Sequence, residues 1–303
     1  MKKKILLIGG PTAVGKTKLG ITCANLFNGE IISADCEQIY KKLDIGSAKP
    51  TNLEQSQAKH HLIDILEPTE NFSVADFKQR ATNIIDNLTS QNKLPIIVGG
   101  TGLYLKALLY PFEFGGSQKD DDIRTKYNNL VVEKGNEYVY NLLKRVDEKS
   151  AEKLHPNDIK RVIRALEIYD ITGKPKSSQH LELESEYDFK LIFLNDDRKV
   201  LYDRINARVD EMLALGLEQE VKNLIKSGVT RNNQSMQGIG YREFFDYFDN
   251  KISYKQLVEQ IKQDSRNYAK RQITWFRHMQ NCSEHSINNL ENIIFEIKNW
   301  LNN

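Results

Sequence analysis

The sequence predicts an α/β fold in which a mostly parallel sheet is covered by helices and carries an all-helical insertion. Short apolar runs of strand character alternate with longer amphipathic stretches, which is typical of parallel strands connected by helices. Between residues 113 and 186 this alternation stops and only helical patterns remain. The 303 residues are therefore expected to form one core from residues 1–112 and 187–303, with residues 113–186 as the insertion.

The core strands are predicted from apolar, β-branched segments that are too short for buried helices. They are Ile5–Ile8, Glu30–Ala34, Leu62–Leu66, Pro95–Val98 and Lys190–Leu194. Helices of the insertion are predicted at Ile123–Lys134, at Tyr138–Val146 and from about Asp158 to Ile171, where Gly173-Lys-Pro follows. After the last strand, an amphipathic helix is expected from Asn195-Asp-Asp to Gly228, and the remainder is predicted to be helical.

Composition narrows the class of protein without selecting one. The chain has 43 basic and 41 acidic residues, so a nucleic-acid surface has to arise from local clusters. No apolar run approaches the roughly 20 residues of a membrane helix, and no membrane association is expected. The first residues lack a small-residue cleavage site and are interpreted as a strand, not as a signal peptide. Three scattered cysteines fit a cytoplasmic location and predict no disulfide framework.

The first strand leads into a phosphate-loop motif, G-x-x-x-x-G-K-[ST], which a helix follows. Backbone N–H groups and the helix N-terminus surround a phosphate in such a loop, while Lys16 adds positive charge and Thr17 can hold Mg²⁺. The motif makes this a P-loop core, but a nucleotide and a plain diphosphate ester satisfy it equally. Its residues are Gly10, Pro11, Thr12, Ala13, Val14, Gly15, Lys16 and Thr17.

The carboxylate that nucleotide hydrolases place after a second apolar strand is missing, because Pro95–Val98 ends in Gly-Gly-Thr101. The sequence also lacks an N-K-x-D guanine-reading motif, which argues against a GTPase. Asp35 ends the second strand instead and is expected to face the phosphate loop, since ligands bind beyond the carboxyl ends of parallel strands. We interpret Asp35 as a general base, with a helix N-cap or a Mg²⁺ ligand as alternatives. Asp64 is the rival carboxylate, but its predicted place within a strand favours structural pairing.

Two pairs of arginines share helix faces and are candidates for phosphate contacts. Arg161 and Arg164 lie three residues apart with Lys160 beside them, and Arg204 and Arg208 lie four apart. Solvated helix surface is the alternative for either pair alone.

A third basic cluster, residues 266–277, contains four basic residues and three aromatic residues without an acid. This mixture is expected where phosphate contacts combine with stacking surfaces. The alternative is a helix that packs Trp275 into the core while its basic side chains reach solvent.

Taken together, these segments resemble one family, the tRNA dimethylallyltransferases, which attach an isopentenyl group to the adenosine beside the anticodon. The matching segments follow the family order over nearly the whole chain, so they are far more specific than the phosphate loop alone. They are Gly10–Thr17, Ser33–Tyr40, Asp44–Pro50, Gly99–Tyr104, His155–Asp158, Lys160–Glu167, Gly238–Arg242 and Lys270–Arg277. Three positions depart from the family: it usually has Ser at Cys36 and Thr at Ser47, and Gln is common at Lys160. The thiol of Cys36 donates hydrogen bonds weakly, and we expect it to loosen the loop around Asp35.

The resemblance implies a reaction as well as a fold. The phosphate loop would hold the diphosphate of dimethylallyl diphosphate, and not ATP, with Arg208 and a Mg²⁺ ion on Thr17 stabilising the departing anion. Asp35 would take a proton from the exocyclic amine of adenine, which is flipped out of the anticodon loop, with Gln38 on the adenine edge and Thr101 alongside. The catalytic residues would be Asp35, Thr101 and Arg208.

The resemblance also implies which residues contact the tRNA anticodon stem-loop. They are Asp35, Cys36, Glu37, Gln38, Thr101, Arg124, Lys160, Arg161, Arg164, Gln237, Gly240, Tyr241, Arg242, Lys270, Arg271, Trp275 and Arg277. A monomer is expected.

Two other functions remain open from the residues themselves. In a small-molecule or nucleotide kinase, Asp35 would deprotonate a hydroxyl group, and Arg161 and Arg164 would close over ATP. In a nucleotide-dependent RNA-binding switch, no group would be transferred, and replacing Asp35 would leave function intact.

Overall fold

The computed structural model describes residues 2–110, 120–178 and 184–303, and within them it forms one six-stranded sheet. The strands are β1 (Lys3–Gly9), β2 (Gly29–Ser33), β3 (His60–His61), β4 (Leu94–Gly99), β5 (Tyr187–Leu194) and β6 (Cys282–His285). They lie in the order β3-β2-β4-β1-β5-β6, and each neighbouring pair is parallel. The α/β class with a parallel sheet is therefore confirmed.

Helices connect and cover these strands, as parallel pairing requires. They are α1 (Lys16–Leu26), α2 (Asn52–Gln57), α3 (Val74–Ser90), α4 (Gly102–Leu109), α5 (Asp121–Lys134), α6 (Asn136–Val146), α7 (Glu148–Ala151), α8 (Ile159–Thr172), α9 (Arg198–Ala214), α10 (Leu217–Lys226), α11 (Arg242–Phe248), α12 (Tyr254–Phe276) and α13 (Leu290–Asn302). Capping boxes fix the starts of three of them, through Thr51 before α2, Ser73 before α3 and Ser253 before α12.

The chain divides into two compact units. Unit 1 comprises Met1–Leu109 and Ser185–Asn303 and contains the sheet, and unit 2 comprises Tyr110–Glu184 and contains α5–α8. Each unit has its own buried apolar cluster, around Ile8, Ile96 and Ile192 in unit 1 and around Leu143 and Val162 in unit 2. The boundary predicted between residues 112 and 113 lies outside the described residues.

One predicted strand is wrong. The third strand is only His60–His61, and Leu62–Leu66 leaves the sheet because Leu62 and Asp64 have φ values of 59° and 55°. Extended strands need negative φ, so these two residues turn the chain instead. Asp64 is thus outside any strand, although it does form a structural ion pair, 2.5 Å from Lys49 Nζ.

The predicted helix from Asn195 to Gly228 is in fact two helices. It starts as expected, since the Asp197 side chain accepts from the first N–H groups of α9. It breaks at Gly216, whose φ of 99° interrupts the helix between α9 and α10. The remainder is also not entirely helical, because the polar segment Cys282–His285 forms β6 beside β5.

Candidate active site

The phosphate loop forms the turn between β1 and α1, the context that its motif requires. Gly10, Ala13 and Gly15 have φ values of 147°, 63° and 99°, and these conformations let the backbone curl tightly. Helix α1 begins at Lys16 with no side-chain cap on its N-terminus. The first N–H groups of such a helix have no intrahelical partner and favour an anion.

The side chain of Lys16 folds back onto the phosphate loop. Its Nζ donates to the carbonyl oxygen of Pro11 at 2.7 Å. Burial lowers the pKa of Lys16 to about 8, with Asp35 opposing this shift and Arg208 adding to it. An anion bound here would therefore stabilise the charged ammonium and raise its pKa again.

Asp35 follows β2 and faces the same space. Its Oδ1 accepts from the backbone N–H of Glu37 at 2.9 Å. That N–H belongs to a turn and not to a helix, so Asp35 is not a helix N-cap. Burial raises the pKa of Asp35 above its usual range, although the charges of Lys16 and Arg208 pull it down. A carboxylate with a raised pKa is a stronger base, which suits proton removal.

Arg208 projects from α9 into the same space. Burial lowers its pKa, while Glu211, Glu54 and Asp35 raise it. Arg204, its neighbour one helical turn earlier, instead pairs with Asp196 at 2.9 Å. The structure thus separates the two arginines: Arg208 lines the cavity and Arg204 anchors its helix.

A cavity of about 880 Å³ in unit 1 brings these groups together. Its walls include Thr12–Lys18, Asp35–Gln38, Asp44–Asn52, Arg208 and Gln237–Gly240. The loop, the carboxylate and the arginine therefore share one chamber large enough for a small ligand.

The turn after Asp35 is largely desolvated. Burial raises the pKa of the Cys36 thiol well above its usual value. Burial and the nearby Asp35 also raise the pKa of Glu37 to about 8. Glu37 Oε2 is buried and has no hydrogen-bond partner among the described residues. Thr101 lies beside the Cys36 thiol and donates its backbone N–H to Ala34 at 3.3 Å.

The side chain of Gln38 is engaged within the protein. Its amide oxygen accepts from Ser33 Oγ at 2.9 Å. Its amide nitrogen donates to the carbonyl oxygens of Ser47 and Ala48 at 3.5 and 3.3 Å. Gln38 thereby fixes the cavity wall, and one lone pair of its amide oxygen has no donor among the described residues.

Four residues predicted to contact tRNA lie within the segment Gln237–Arg242, and they differ in solvent exposure. Gln237 and Arg242 are exposed, and Arg242 pairs with Glu243 and Asp264, at 2.7 and 2.8 Å. Gly240 and Tyr241 are buried. Tyr241 has no exposed side-chain surface, so its assignment to RNA contact is corrected: its hydroxyl instead donates inward to Glu220 at 2.8 Å.

The basic segment near the end of α12 has one face on the core and one in solvent. Lys270, Arg271 and Arg277 are exposed, and Arg277 pairs with Glu284 of β6 at 3.2 Å. Trp275 is half-buried over Gly102, where a Cβ atom would lie 2.2 Å from the ring. The packed aromatic residues and exposed basic residues match the alternative interpretation of this helix, and contact with RNA phosphates stays a prediction.

The predicted residues of unit 2 fall into two groups. Lys160 and Arg161 are exposed on α8. Arg124 and Arg164 instead bind Glu167, which is fully buried, at 2.9 and 2.6 Å. A buried carboxylate needs such partners, so these two arginines stabilise the unit.

Two residues of the site escaped sequence reasoning. Gln272 accepts from the Thr12 N–H at 3.1 Å and donates to the Gly100 carbonyl oxygen at 3.0 Å, which joins the phosphate loop to the loop after β4. Glu220 binds the cavity loop that begins at Asp44. Glu220 lies outside every motif of the sequence. Gln272 lies within the basic segment of α12, which was interpreted through its basic and aromatic residues.

Two features are absent from the described residues. No helix there is long and apolar enough to cross a membrane. In the same ranges, no three His, Cys, Asp or Glu side chains are grouped so as to hold a metal ion.

These features define an α/β protein whose phosphate loop shares a cavity with a desolvated carboxylate and an arginine. Comparison with known sequences and structures identifies its family. The chain belongs to the IPP transferase family, whose model matches residues 38–279. That match begins after the phosphate loop and Asp35, so those residues are independent support from the sequence itself.

Similar proteins cover nearly the whole chain. A tRNA dimethylallyltransferase of Alkaliphilus oremlandii is 47% identical over 293 residues, 96% of this chain and 94% of that protein. The crystal structure of the full-length tRNA isopentenylpyrophosphate transferase from Bacillus halodurans is similar with a TM-score of 0.74 and 41% identity, over 100% of this chain and 97% of that one. A eukaryotic dimethylallyltransferase acting on tRNA has a TM-score of 0.77 and 31% identity, over 90% of this chain and 70% of its own.

Proposed function

We propose that the protein transfers a dimethylallyl group from dimethylallyl diphosphate to N6 of the adenosine that is 3′-adjacent to the anticodon in tRNA. The observation that carries this proposal is the cavity shared by the phosphate loop, Asp35 and Arg208. Such a site can hold a diphosphate and a proton acceptor together. The names of the relatives at 46–47% identity supply the substrate class.

The donor would lie along the phosphate loop, Gly10–Thr17. Backbone N–H groups, Lys16 and Arg208 would surround the diphosphate, whose negative charge grows as it leaves. The carbon–oxygen bond to the diphosphate breaks, and its electron pair leaves with the diphosphate. Lowered pKa values of Lys16 and Arg208 in the free protein support this role, because an anion restores their preference for charge.

A Mg²⁺ ion on Thr17 fits the donor set of the site. Thr17 lines the cavity beside Lys16 and offers a hydroxyl oxygen, and no cluster of three acidic or His ligands is found in the described residues. Mg²⁺ prefers oxygen ligands and retains waters, so one hydroxyl together with phosphate oxygens suits it better than a protein cage would. Bound there, the ion would supply further neutralisation of the leaving diphosphate.

The acceptor is the exocyclic amine of a flipped-out adenine. Asp35 takes a proton from this amine as its nitrogen bonds to the dimethylallyl carbon, so charge balances as the diphosphate anion departs. The open lone pair of the Gln38 amide oxygen accepts an N–H of the adenine edge. Cys36, Glu37 and Thr101 form the desolvated surroundings of this reaction.

The tRNA anticodon stem-loop would contact exposed residues in both units, most of them basic. In unit 1 these are Lys270 and Arg271 with the exposed Gln237 and Arg242, and in unit 2 they are Lys160 and Arg161. Exposed cations that reach phosphates provide the salt-dependent part of RNA binding. We further propose that residues 113–186 act as a tRNA-gripping insertion and that the protein works as a cytoplasmic monomer.

The proposal is tested with radiolabelled dimethylallyl diphosphate and unmodified tRNA. We expect label in the tRNA and release of diphosphate, without consumption of ATP. A tRNA with guanosine at the target position is the matched control and should stay unlabelled. Unlabelled tRNA together with ATP consumption would favour the kinase, and tRNA binding without transfer would favour the switch.

A further inference from the structure

The loop Asp44–Lys49 forms one wall of the cavity. It is a series of turns, closed by backbone hydrogen bonds from Ala48 to Ile45 and from Lys49 to Asp44, at 3.0 and 3.1 Å. Turns of this kind leave successive N–H groups pointing to one side, where they require an acceptor. The position of this wall therefore depends on what those N–H groups bind.

Glu220 of α10 supplies that acceptor. Its Oε2 accepts from the N–H groups of Asp44 and Ile45, at 3.0 and 2.8 Å. Its Oε1 accepts from the N–H of Gly46 at 3.2 Å and from the hydroxyl of Tyr241 at 2.8 Å. A single carboxylate thus receives four hydrogen bonds, three of them from consecutive residues of the loop.

Tyr241 connects the same loop to the segment Gln237–Arg242. Besides donating to Glu220, its oxygen accepts from the N–H of Ser47 at 3.1 Å. Burial and the nearby Glu220 raise the pKa of Tyr241 well above its usual value, so the phenol stays a donor. Its ring lies against Gly46, where an added Cβ would be 2.5 Å away.

The other side of the loop holds Gln38. The carbonyl oxygens of Ser47 and Ala48 accept from the Gln38 amide nitrogen, and this contact fixes which way the amide oxygen points. A continuous chain of hydrogen bonds therefore runs from Glu220 through the loop to Gln38. No phosphate-loop residue takes part in these bonds.

We infer that Glu220 is a positioning residue for the RNA acceptor, acting through the Asp44–Ala48 loop on the amide of Gln38. The inference rests on the proposed function, which places adenine beside Gln38. Because the chain of bonds bypasses the phosphate loop, Glu220 affects the adenine and leaves the diphosphate donor unaffected. Tyr241 shares this role, and it joins the loop to a segment that carries two exposed candidates for RNA contact.

Replacing Glu220 with Gln tests this role. The amide keeps the volume of the carboxylate, but its NH₂ group faces donors, either the loop N–H groups or the Tyr241 hydroxyl. We expect kcat/KM for tRNA to fall about tenfold or more. The affinity for dimethylallyl diphosphate, measured by calorimetry, should stay within about twofold of wild type.

Glu218→Gln is the matched control. Glu218 lies on the same helix, and its partner among the described residues is Lys222, at 2.6 Å. Both kcat/KM for tRNA and the affinity for dimethylallyl diphosphate should therefore remain at wild-type values. If Glu220→Gln does not fold, Tyr241→Phe decides the question, since it removes only the hydroxyl and keeps the ring on Gly46. It should lower kcat/KM for tRNA several-fold and leave donor affinity unchanged.

The possible results separate this inference from the proposed function. A wild-type protein without transfer activity would refute the proposed function. If the wild type is active and the folded Glu220→Gln variant has unchanged tRNA kinetics, the inference alone is refuted. Tyr241→Phe takes the place of Glu220→Gln if the latter does not fold. An equal loss of donor affinity and tRNA kinetics would also overturn it, because Glu220 would then only stabilise the fold.

Discussion

At the scale of single residues, the cavity contains ionisable groups whose charged forms are disfavoured by burial. Burial moves the pKa of Asp35 upward and the pKa values of Lys16 and Arg208 downward, against their mutual attraction. Perturbed groups that converge in one cleft are typical of functional sites. A bound diphosphate would complete the charge balance that the free protein lacks.

Glu37 gives this environment a measurable pH dependence. Its pKa rises from 4.5 to about 8 in the folded state because burial and Asp35 disfavour its charge. The folded state then binds a proton that the unfolded state releases, so stability falls as pH rises from about 4.5 to 8. Glu37→Gln mimics the protonated form and should raise Tm by a margin that grows over this window, reaching on the order of a few degrees.

Differential scanning calorimetry at several pH values measures that margin. Glu259→Gln, at an exposed position of α12, is the control and should show no such trend. A Glu37→Gln margin that is the same at pH 5 and pH 8 would contradict the assigned environment of Glu37.

The site residues that could be predicted from the sequence are those marked by a local motif or by the end of a strand. The phosphate loop and Asp35 follow strands directly, so a motif and a strand end were sufficient. Glu220 and Gln272 could not be predicted, because their partners lie 175 and 172 residues away in the chain. Tyr241 was misassigned for the related reason that a motif does not show which way a side chain points.

At the scale of elements, α12 supports the phosphate loop and the loop after β4. Glycines after β4 make room for its side chains, since a Cβ on Gly100 would lie 2.0 Å from Gln272 and one on Gly102 would lie 2.2 Å from Trp275. Gln272 fills its space with two hydrogen bonds to loops on either side. Helix α12 therefore fixes the position of the phosphate loop relative to the loop after β4.

Gln272→Ala tests this support. It leaves the Thr12 N–H and the Gly100 carbonyl without their partner, and we expect the free energy of unfolding to fall by about 2 kcal/mol or more. Urea denaturation measures the change. Gln263→Ala on the same helix is the control, since the Gln263 side chain bonds with Asn267 and Arg266 on the helix surface. Its effect should stay within about 0.5 kcal/mol. Equal effects of the two variants would contradict the support role.

Most elements were predictable because hydrophobic periodicity is local. The exceptions depend on backbone conformation or on neighbours. Leu62–Leu66 has the composition of a strand, but positive φ at Leu62 and Asp64 removes it from the sheet. The segment Cys282–His285 has no strand composition and becomes β6 through pairing with β5, which is far away in sequence.

At the scale of the whole molecule, the 43 basic and 41 acidic residues nearly balance, so RNA binding has to depend on individual exposed cations. Lys160 is exposed on α8, and the proposed function places it on an RNA phosphate. Lys160→Ala should reduce the slope of log binding constant against log salt by about 0.7–0.9, the contribution of one phosphate contact. Filter binding of tRNA over a salt series measures this slope, and Lys153→Ala, at another exposed lysine of unit 2, should leave it unchanged. Equal slopes for Lys160→Ala and wild type would place Lys160 off the RNA.

The most direct test of the account is single-turnover transfer by Asp35→Asn, a variant that keeps the shape of the side chain and removes the base. We predict that it binds tRNA and dimethylallyl diphosphate like wild type but transfers the dimethylallyl group about 100- to 10,000-fold more slowly. Transfer at the wild-type rate would contradict the assignment of Asp35 as the base that activates the adenine amine.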